Sequence, residues 1–134
     1  MLIFLRLLFS LVLASMIAVT SWASFQCPLF AVPRAVAVHP WFIATLADAY
    51  WGFITFYAWV YFKQTAWLAR GAWLIAILLL GNVAMAAYCL RELWRVENEH
   101  ALPGLLVRRH AGPSPLGLVL AGSGIAVIAF AAFS

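Results

Sequence analysis

The chain has 134 residues, of which 67% are hydrophobic and only 9% are charged, and its mean hydropathy is +1.03. Soluble domains average about 45–50% apolar and about 25% charged residues. The composition therefore predicts a single-domain integral membrane protein. The net charge of +4 does not indicate nucleic-acid binding, because the eight basic residues are spread between the apolar runs.

Four apolar runs follow one another along the chain, at residues 2–23, 41–62, 72–93 and 116–133. Each is close to the ~20 residues that a helix needs to cross the ~30 Å hydrocarbon core. Backbone groups in lipid are satisfied only by helices or closed barrels, and the runs lack the alternation of barrel strands. The sequence therefore predicts an all-α fold, a four-helix transmembrane bundle over residues 1–134.

The first run ends at Ser21, Trp22 and Ala23, which resemble a signal-peptidase site. The run approaches full spanning length, which favours a retained helix. Residues 25–39 form a proline-containing connection, and residues 63–71 a tight turn. The longest polar stretch, residues 94–114, has room for a short interfacial segment.

The distribution of positive charge conflicts with this order of spans. With the N-terminus inside, the inner loops and ends carry Arg6, Lys63 and Arg70, and the outer ones carry Arg34, Arg91, Arg95, Arg108 and Arg109. The positive-inside rule alone favours the reverse orientation, whereas the first helix, with Arg6 at its start, favours an inside N-terminus. We expect the N-terminus inside, in the cytoplasmic (inner) membrane of a bacterium.

Asp48 is the only aspartate, and it lies within the second run. A carboxylate at the centre of a membrane helix costs about 2.5–3.5 kcal/mol on insertion scales. Asp48 lies on a helical stripe, at alternating steps of four and three, that consists of Trp41, Thr45, Asp48, Gly52, Thr55, Trp59 and Phe62. This stripe holds both threonines and the only glycine of the run. We expect this stripe to face the bundle interior.

The partners expected for Asp48 are Tyr88 and Arg91, because an antiparallel third helix places them at similar depth, with Asn82 deeper. The predicted intramembrane polar site therefore comprises Thr45, Asp48, Asn82, Tyr88 and Arg91. A packing anchor is one interpretation of Asp48, and a proton or cation site is the other.

No cofactor or metal is predicted, since the sequence contains no metal-binding or catalytic motif. His39 has two interpretations. The first is an interfacial helix cap, and the alternative is a ligand to a pigment or haem. Cys27 and Cys89 map to one side of the four-span arrangement, where a disulfide is the alternative to two free thiols. The small residues of the fourth run indicate close helix packing.

Several segments resemble a domain-of-unknown-function family of small multi-pass membrane proteins found in bacteria and plants. They are residues 15–24 (SMIAVTSWAS), 39–46 (HPWFIATL), 48–53 (DAYWGF) and 79–86 (LLGNVAMA). The resemblance covers roughly residues 1–95 and implies a shared helical fold with Asp48 and Asn82 among its recurring polar positions. Lys63 and Gln64 depart from a lysine–glutamate pair common in that family. The resemblance implies no activity.

The function expected from these features is structural or accessory, as a subunit of or associate to a larger membrane complex. The expected partners are the lipid bilayer and other membrane subunits, not nucleic acid. The alternative is a small transporter or lipid-modifying membrane enzyme that uses Asp48 and Asn82 in a cavity. The sequence favours a non-enzymatic role, because no catalytic motif occurs in it.

Overall fold

A computed structural model describes residues 1–133, and within this range the protein is all-α, as predicted. The seven helices are α1 (Leu2–Gln26), α2 (Arg34–Ala37), α3 (Pro40–Lys63), α4 (Trp67–Leu80), α5 (Asn82–Trp94), α6 (Leu102–Val107) and α7 (Pro115–Phe133). Single 3-10 turns at Leu29–Ala31 and Glu99–Ala101 lie in the connections. The short α6 occupies the stretch in which a short interfacial segment was expected.

Three of the four predicted helices are confirmed as α1, α3 and α7. The helices α1 and α7 are long and apolar enough to cross a membrane. The helix α3 has 24 residues but includes three tryptophans and three tyrosines, whose polar tips lower its hydropathy. It begins with Pro40 at a position that needs no backbone donor, and the side chain of His39 accepts a hydrogen bond from the Trp41 N–H.

The prediction of one continuous helix over residues 72–93 is wrong. Gly81 has φ 52° and ψ −124°, a conformation that L side chains rarely adopt, and it separates α4 from α5. The rings of Trp73 and Tyr88 lie 4.8 Å apart. In a continuous helix these two residues would be about 22 Å apart. The chain therefore reverses at Gly81, and α4 and α5 form a helical hairpin.

The hairpin packs against the long helices along its whole length. Its tip meets α3, since a Cβ atom added to Gly81 would lie 2.6 Å from Phe53 Cζ. The α7 helix lies along α4, and the face that approaches it consists of the buried small residues Gly117, Ala121 and Gly124. The predicted close-packing surface of the fourth run is thus confirmed. The α1 helix lies along α5.

Two regions with different packing result. We call the end where α3 ends and α1, α4 and α7 begin the base; it includes residues 94–114 and the buried residues around Tyr88 and Leu93. We call the other end the open half; it comprises residues 17–26, 40–52 and 125–133. The hairpin arms have 14 and 13 residues, about 20 Å each. They are shorter than the long helices, so the side chains of the open half are nearly all exposed.

Candidate functional site

The base contains a buried ion pair between Lys63 and Glu92. Lys63 is the last residue of α3, Glu92 lies near the end of α5, and both side chains are only 2% exposed. Lys63 Nζ donates to Glu92 Oε2 at 2.6 Å and also to the carbonyl of Leu105 in α6. The ammonium lies 4.8 Å from the centroid of a Trp59 ring. One lysine thus joins α3, the returning arm of the hairpin and α6.

His110 is a second partner of the same carboxylate oxygen of Glu92. Its Nε2 lies 2.7 Å from Glu92 Oε2, and its Nδ1 lies 2.9 Å from Arg95 Nη1. Arg95 only donates hydrogen bonds, so these contacts assign a neutral imidazole protonated on Nε2. Burial lowers the pKa of His110 below its usual range, although the neighbouring Glu92 carboxylate raises it.

The backbone around His110 is fixed as well. Its N–H donates to the Lys63 carbonyl at 2.7 Å, and its carbonyl accepts from the Thr65 N–H at 3.0 Å. These bonds bring the chain that returns from α6 back to the turn between α3 and α4. Residues 94–114 therefore lie at the same end of the molecule as Lys63.

A layer of aromatic rings lies next to the ion pair. Tyr88 is fully buried one turn before Glu92, with ring centroids 4.8 Å from Trp73, 5.6 Å from Trp59 and 5.9 Å from Phe56. Each of these contacts is edge-to-face, the geometry that aromatic quadrupoles favour. The layer keeps water from the ion pair, which strengthens its electrostatic attraction.

The Tyr88 hydroxyl accepts a hydrogen bond from Gln64 Nε2 at 3.2 Å. On the other side of the layer, the Trp73 indole donates to Ser114 Oγ at 3.0 Å. These bonds satisfy the polar atoms that the aromatic rings bring into the core. They also tie the start of α7 to the hairpin.

Arginines cap the two helices that end at the base. Arg70 Nε donates to the carbonyl of Gln64, just past the end of α3, at 2.7 Å. Arg6 Nη2 donates to the carbonyls of Leu93 and Val96 at the end of α5, at 2.9 Å each. Helix C-termini carry partial negative charge and free carbonyls. Their presence at one end explains why basic side chains concentrate there.

Some buried polar atoms keep no hydrogen-bond partner among residues 1–133: Arg6 Nε, Gln64 Oε1, Arg91 Nη1 and Glu92 Oε1. Arg91 Nη1 lies 3.8 Å from Glu92 Oε1, which is within ion-pair range but too long for a hydrogen bond. The described residues contain no group of three side chains able to hold a metal ion. The role that this network supports is structural: it holds α3, α5 and the segment from α6 to His110 together at one point.

The predicted intramembrane polar site is divided between the two regions. Asp48 is exposed in the open half and has no ion-pair or hydrogen-bond partner within residues 1–133. Thr45 bonds its own helix, donating to the Trp41 carbonyl at 2.8 Å. Asn82 is exposed at the hairpin tip, at the level where Gly81 meets α3.

The predicted partners of Asp48 lie elsewhere. Tyr88 and Arg91 are at the base, beside Gln64 and Glu92. The base lies about 22 Å along α3 from Asp48 at 1.5 Å per residue. The prediction that they partner Asp48 is wrong, because the reversal at Gly81 carries α5 away from the start of α3. The expectation that this stripe faces the bundle interior fails with it.

The remaining predictions concern His39 and the cysteines. The capping interpretation of His39 is confirmed by its bond to Trp41. Cys27 and Cys89 are both free thiols. Cys27 follows the far end of α1, whereas Cys89 lies in α5 near the base, so the disulfide alternative is wrong. The error again comes from the unpredicted hairpin.

The fold and this site define a small all-α protein whose α1 and α7 are long and apolar enough to cross a membrane. The model of a family described as "Protein of unknown function (DUF1475)" matches residues 1–112, so the chain belongs to this family. The match includes Lys63, Glu92 and His110 and ends before α7. No curated protein and no solved structure matches the chain.

Proposed function

We propose that the protein is an integral membrane protein with three spanning helices, α1, α3 and α7, and a hairpin that enters the bilayer from the base and returns. The hairpin arms of about 20 Å are too short for the ~30 Å core. In this arrangement every basic residue except Arg34 lies at the base. The positive-inside rule then places the base and the N-terminus in the cytoplasm. The conflict between the positive-inside rule and the charge distribution of the four-span order then disappears.

The position of the C-terminus tests this topology. Three spans and a returning hairpin put the end of α7 outside when the N-terminus is inside, whereas four spans put it inside. An alkaline phosphatase fused after Ser134 should be active and a fluorescent protein fused there should be dark. Fusions after Asn98 should give the opposite pattern. A bright fluorescent fusion after Ser134 would contradict the topology.

We further propose a structural or accessory role, as a subunit of a larger membrane complex. The observation that carries this proposal is the exposure of Asp48 in the open half, without a partner within the described chain. Thr45, Gly52 and Thr55 share its stripe and are exposed too, and nothing lies within 4 Å of a Cβ placed on Gly52. Lipid offers a carboxylate no hydrogen bonds, so another protein is the stabilising neighbour.

Photo-crosslinking in the native membrane tests the accessory role. A photoreactive residue at Thr45 or Gly52 should give one discrete adduct of higher mass. The matched controls are Ile43 and Ile54, which are exposed on the opposite side of α3. Adducts at Thr45 should persist in Asp48→Asn, which keeps most hydrogen bonds, and disappear in Asp48→Leu. Equal crosslinking from all four positions, or none, would contradict a specific partner.

A small carrier or lipid-modifying enzyme is the second candidate. The observation that favours it is that Asn82 and Asp48 are both polar, exposed and away from the base. A proton or cation site requires the ionisable group itself. Asp48→Asn should then abolish function in a complementation assay, whereas an accessory contact should survive this change.

A further inference from the structure

A cavity of about 470 Å³ lies at the base, between the start of α1, α5, α6 and Trp59. No charged side chain lines it, and its deepest wall along α1 is Phe9. Its volume falls within the range of about 300–1,000 Å³ that small-molecule sites occupy. The buried ion pair lies behind one wall, because Leu105 lines the cavity and accepts a hydrogen bond from Lys63.

The dimensions of the cavity match one hydrocarbon chain. Its lining on α1 extends from Met1 to Phe9, a length of about 12 Å. One leaflet contributes about 15 Å of hydrocarbon to the bilayer. The lining side chains offer almost no polar atoms, so the cavity suits an occupant that is apolar along its whole length.

Free positive charge follows one wall of the cavity along the chain. Leu106 of α6 is in the wall, and Arg108 and Arg109 follow directly after that helix. Both arginine side chains are exposed and make no ion pair or hydrogen bond within residues 1–133. In contrast, Lys63 and Arg70 are occupied by carboxylate or carbonyl oxygens. The two free guanidinium groups suit an anionic lipid headgroup, whose phosphate they can bind in a bidentate manner.

We propose that the cavity holds one acyl chain of an anionic phospholipid from the leaflet at the base, and that Arg108 and Arg109 bind its phosphate. The proposal rests on the membrane topology proposed above but not on the accessory role. The lipid fills the space between α1, α5 and α6, and so joins the start of α1 to the connection that carries α6.

Native mass spectrometry of the full chain in mild detergent tests this proposal. The probes are dioleoyl phosphatidylglycerol and dioleoyl phosphatidylcholine, which differ only in headgroup. Two guanidinium contacts, at about 1 kcal/mol each, predict roughly a thirtyfold preference for the anionic lipid, at one lipid per chain. Arg108→Gln combined with Arg109→Gln should reduce that preference to near unity, while residual binding of both lipids persists.

Variants that fill the cavity distinguish binding of the acyl chain from binding of the headgroup. Leu5→Trp and Leu102→Trp place an indole in the cavity from opposite walls and should each remove the bound lipid. Val107→Trp is the control, since Val107 is exposed on the same short helix and does not line the cavity. Equal binding of the two lipids by the wild type would overturn the proposal. Full binding by both cavity-filling variants would do so too.

The outcome is independent of the accessory role. The crosslinks from Thr45 and Gly52 report on the open half and need no bound lipid. If the two lipids bind equally while the crosslinks still form, only the lipid site is overturned.

Discussion

The base and the open half use their polar residues in different ways. At the base, Lys63, Glu92 and His110 are buried and bonded to one another. In the open half, Asp48 is exposed and has no partner within the described residues. The two regions lie along the same helix, α3, so the difference does not come from local sequence. It comes from the hairpin, which supplies partners to one end of α3 only.

This comparison separates residues that determine the fold from residues available to another molecule. A buried ion pair contributes little net stability against an apolar replacement, but leaving one member unpaired is costly. The pair at the base therefore acts mainly by specifying where the hairpin returns. Asp48 has no such role in the isolated chain, which is why we assign it to an interface.

The largest effect is expected from Glu92→Leu. The change leaves the Lys63 ammonium buried without its carboxylate, and breaking such a pair costs about 3–5 kcal/mol. Denaturant unfolding in detergent, followed by tryptophan fluorescence, should show the loss. The double variant Lys63→Met with Glu92→Leu should recover most of it, because neither member of the pair is then left buried without the other.

Glu99→Gln is the matched control for this prediction. Glu99 pairs with the N-terminal ammonium at 2.7 Å, and both groups are exposed. The unfolding midpoint should not change measurably, since water screens the pair. Equal losses from Glu92→Leu and Glu99→Gln would show that burial at the base has no special role.

Gly81→Ala should have the next largest effect. The positive φ of Gly81 and the contact of a new Cβ with Phe53 both oppose the turn. A strained backbone of this kind costs about 1–3 kcal/mol. Thermal unfolding should report a lower midpoint. Gly71→Ala is the control, because Gly71 is helical and nothing lies within 4 Å of its Cβ position; it should not destabilise the protein.

A smaller effect is expected from pH, through His110. Burial lowers the pKa of His110 in the folded protein below the ordinary value near 6.5. The unfolded chain therefore binds a proton first as the pH falls, so stability is full above about pH 7.5 and decreases below about pH 6.5. Unfolding free energies measured at pH 7.5 and 5.5 should show this loss.

Two histidine variants check the assignment. His110→Gln should remove much of the pH dependence, whereas His100→Gln should keep it, because His100 is exposed. A stability that rises as the pH falls from 7.5 to 5.5 would contradict the neutral imidazole between Glu92 and Arg95.

The smallest effect is expected from Asp48. In the isolated protein Asp48→Asn and Asp48→Leu should change the unfolding free energy by no more than about 0.5 kcal/mol, as is usual for surface positions. The same detergent unfolding assay measures it. A loss as large as that of Glu92→Leu would mean that Asp48 has a partner inside the fold, and the comparison between the two regions would fail.

The long helices α1, α3 and α7 were predictable because apolar runs of ~20 residues leave the backbone few alternatives. The hairpin was not, because Gly81 lies between apolar segments and glycine is common in continuous membrane helices. Two signals of the reversal were present in the sequence. One was the Gly81–Asn82 dipeptide, a turn former. The other was the distribution of positive charge, which conflicted with four spans.

The site at the base depended on the same turn. Lys63 and Glu92 are 29 residues apart in sequence, and His110 lies a further 18 residues along the chain. No local pattern joins them. Neither Glu92 nor His110 belonged to the polar site predicted from the sequence. Only the reversal at Gly81 places both beside the end of α3.

The distance between Thr65 and Ala111 tests the central claim most directly. Both residues are exposed at the base, and the Thr65 N–H bonds the carbonyl of His110 at 3.0 Å. Spin labels at these positions, in a Cys27→Ser and Cys89→Ser background in lipid bilayers, report their separation by pulsed electron resonance. The hairpin predicts a separation well short of the ~30 Å hydrocarbon core. A continuous third span would put the labels on opposite sides of the membrane, and a separation above ~30 Å would contradict the hairpin.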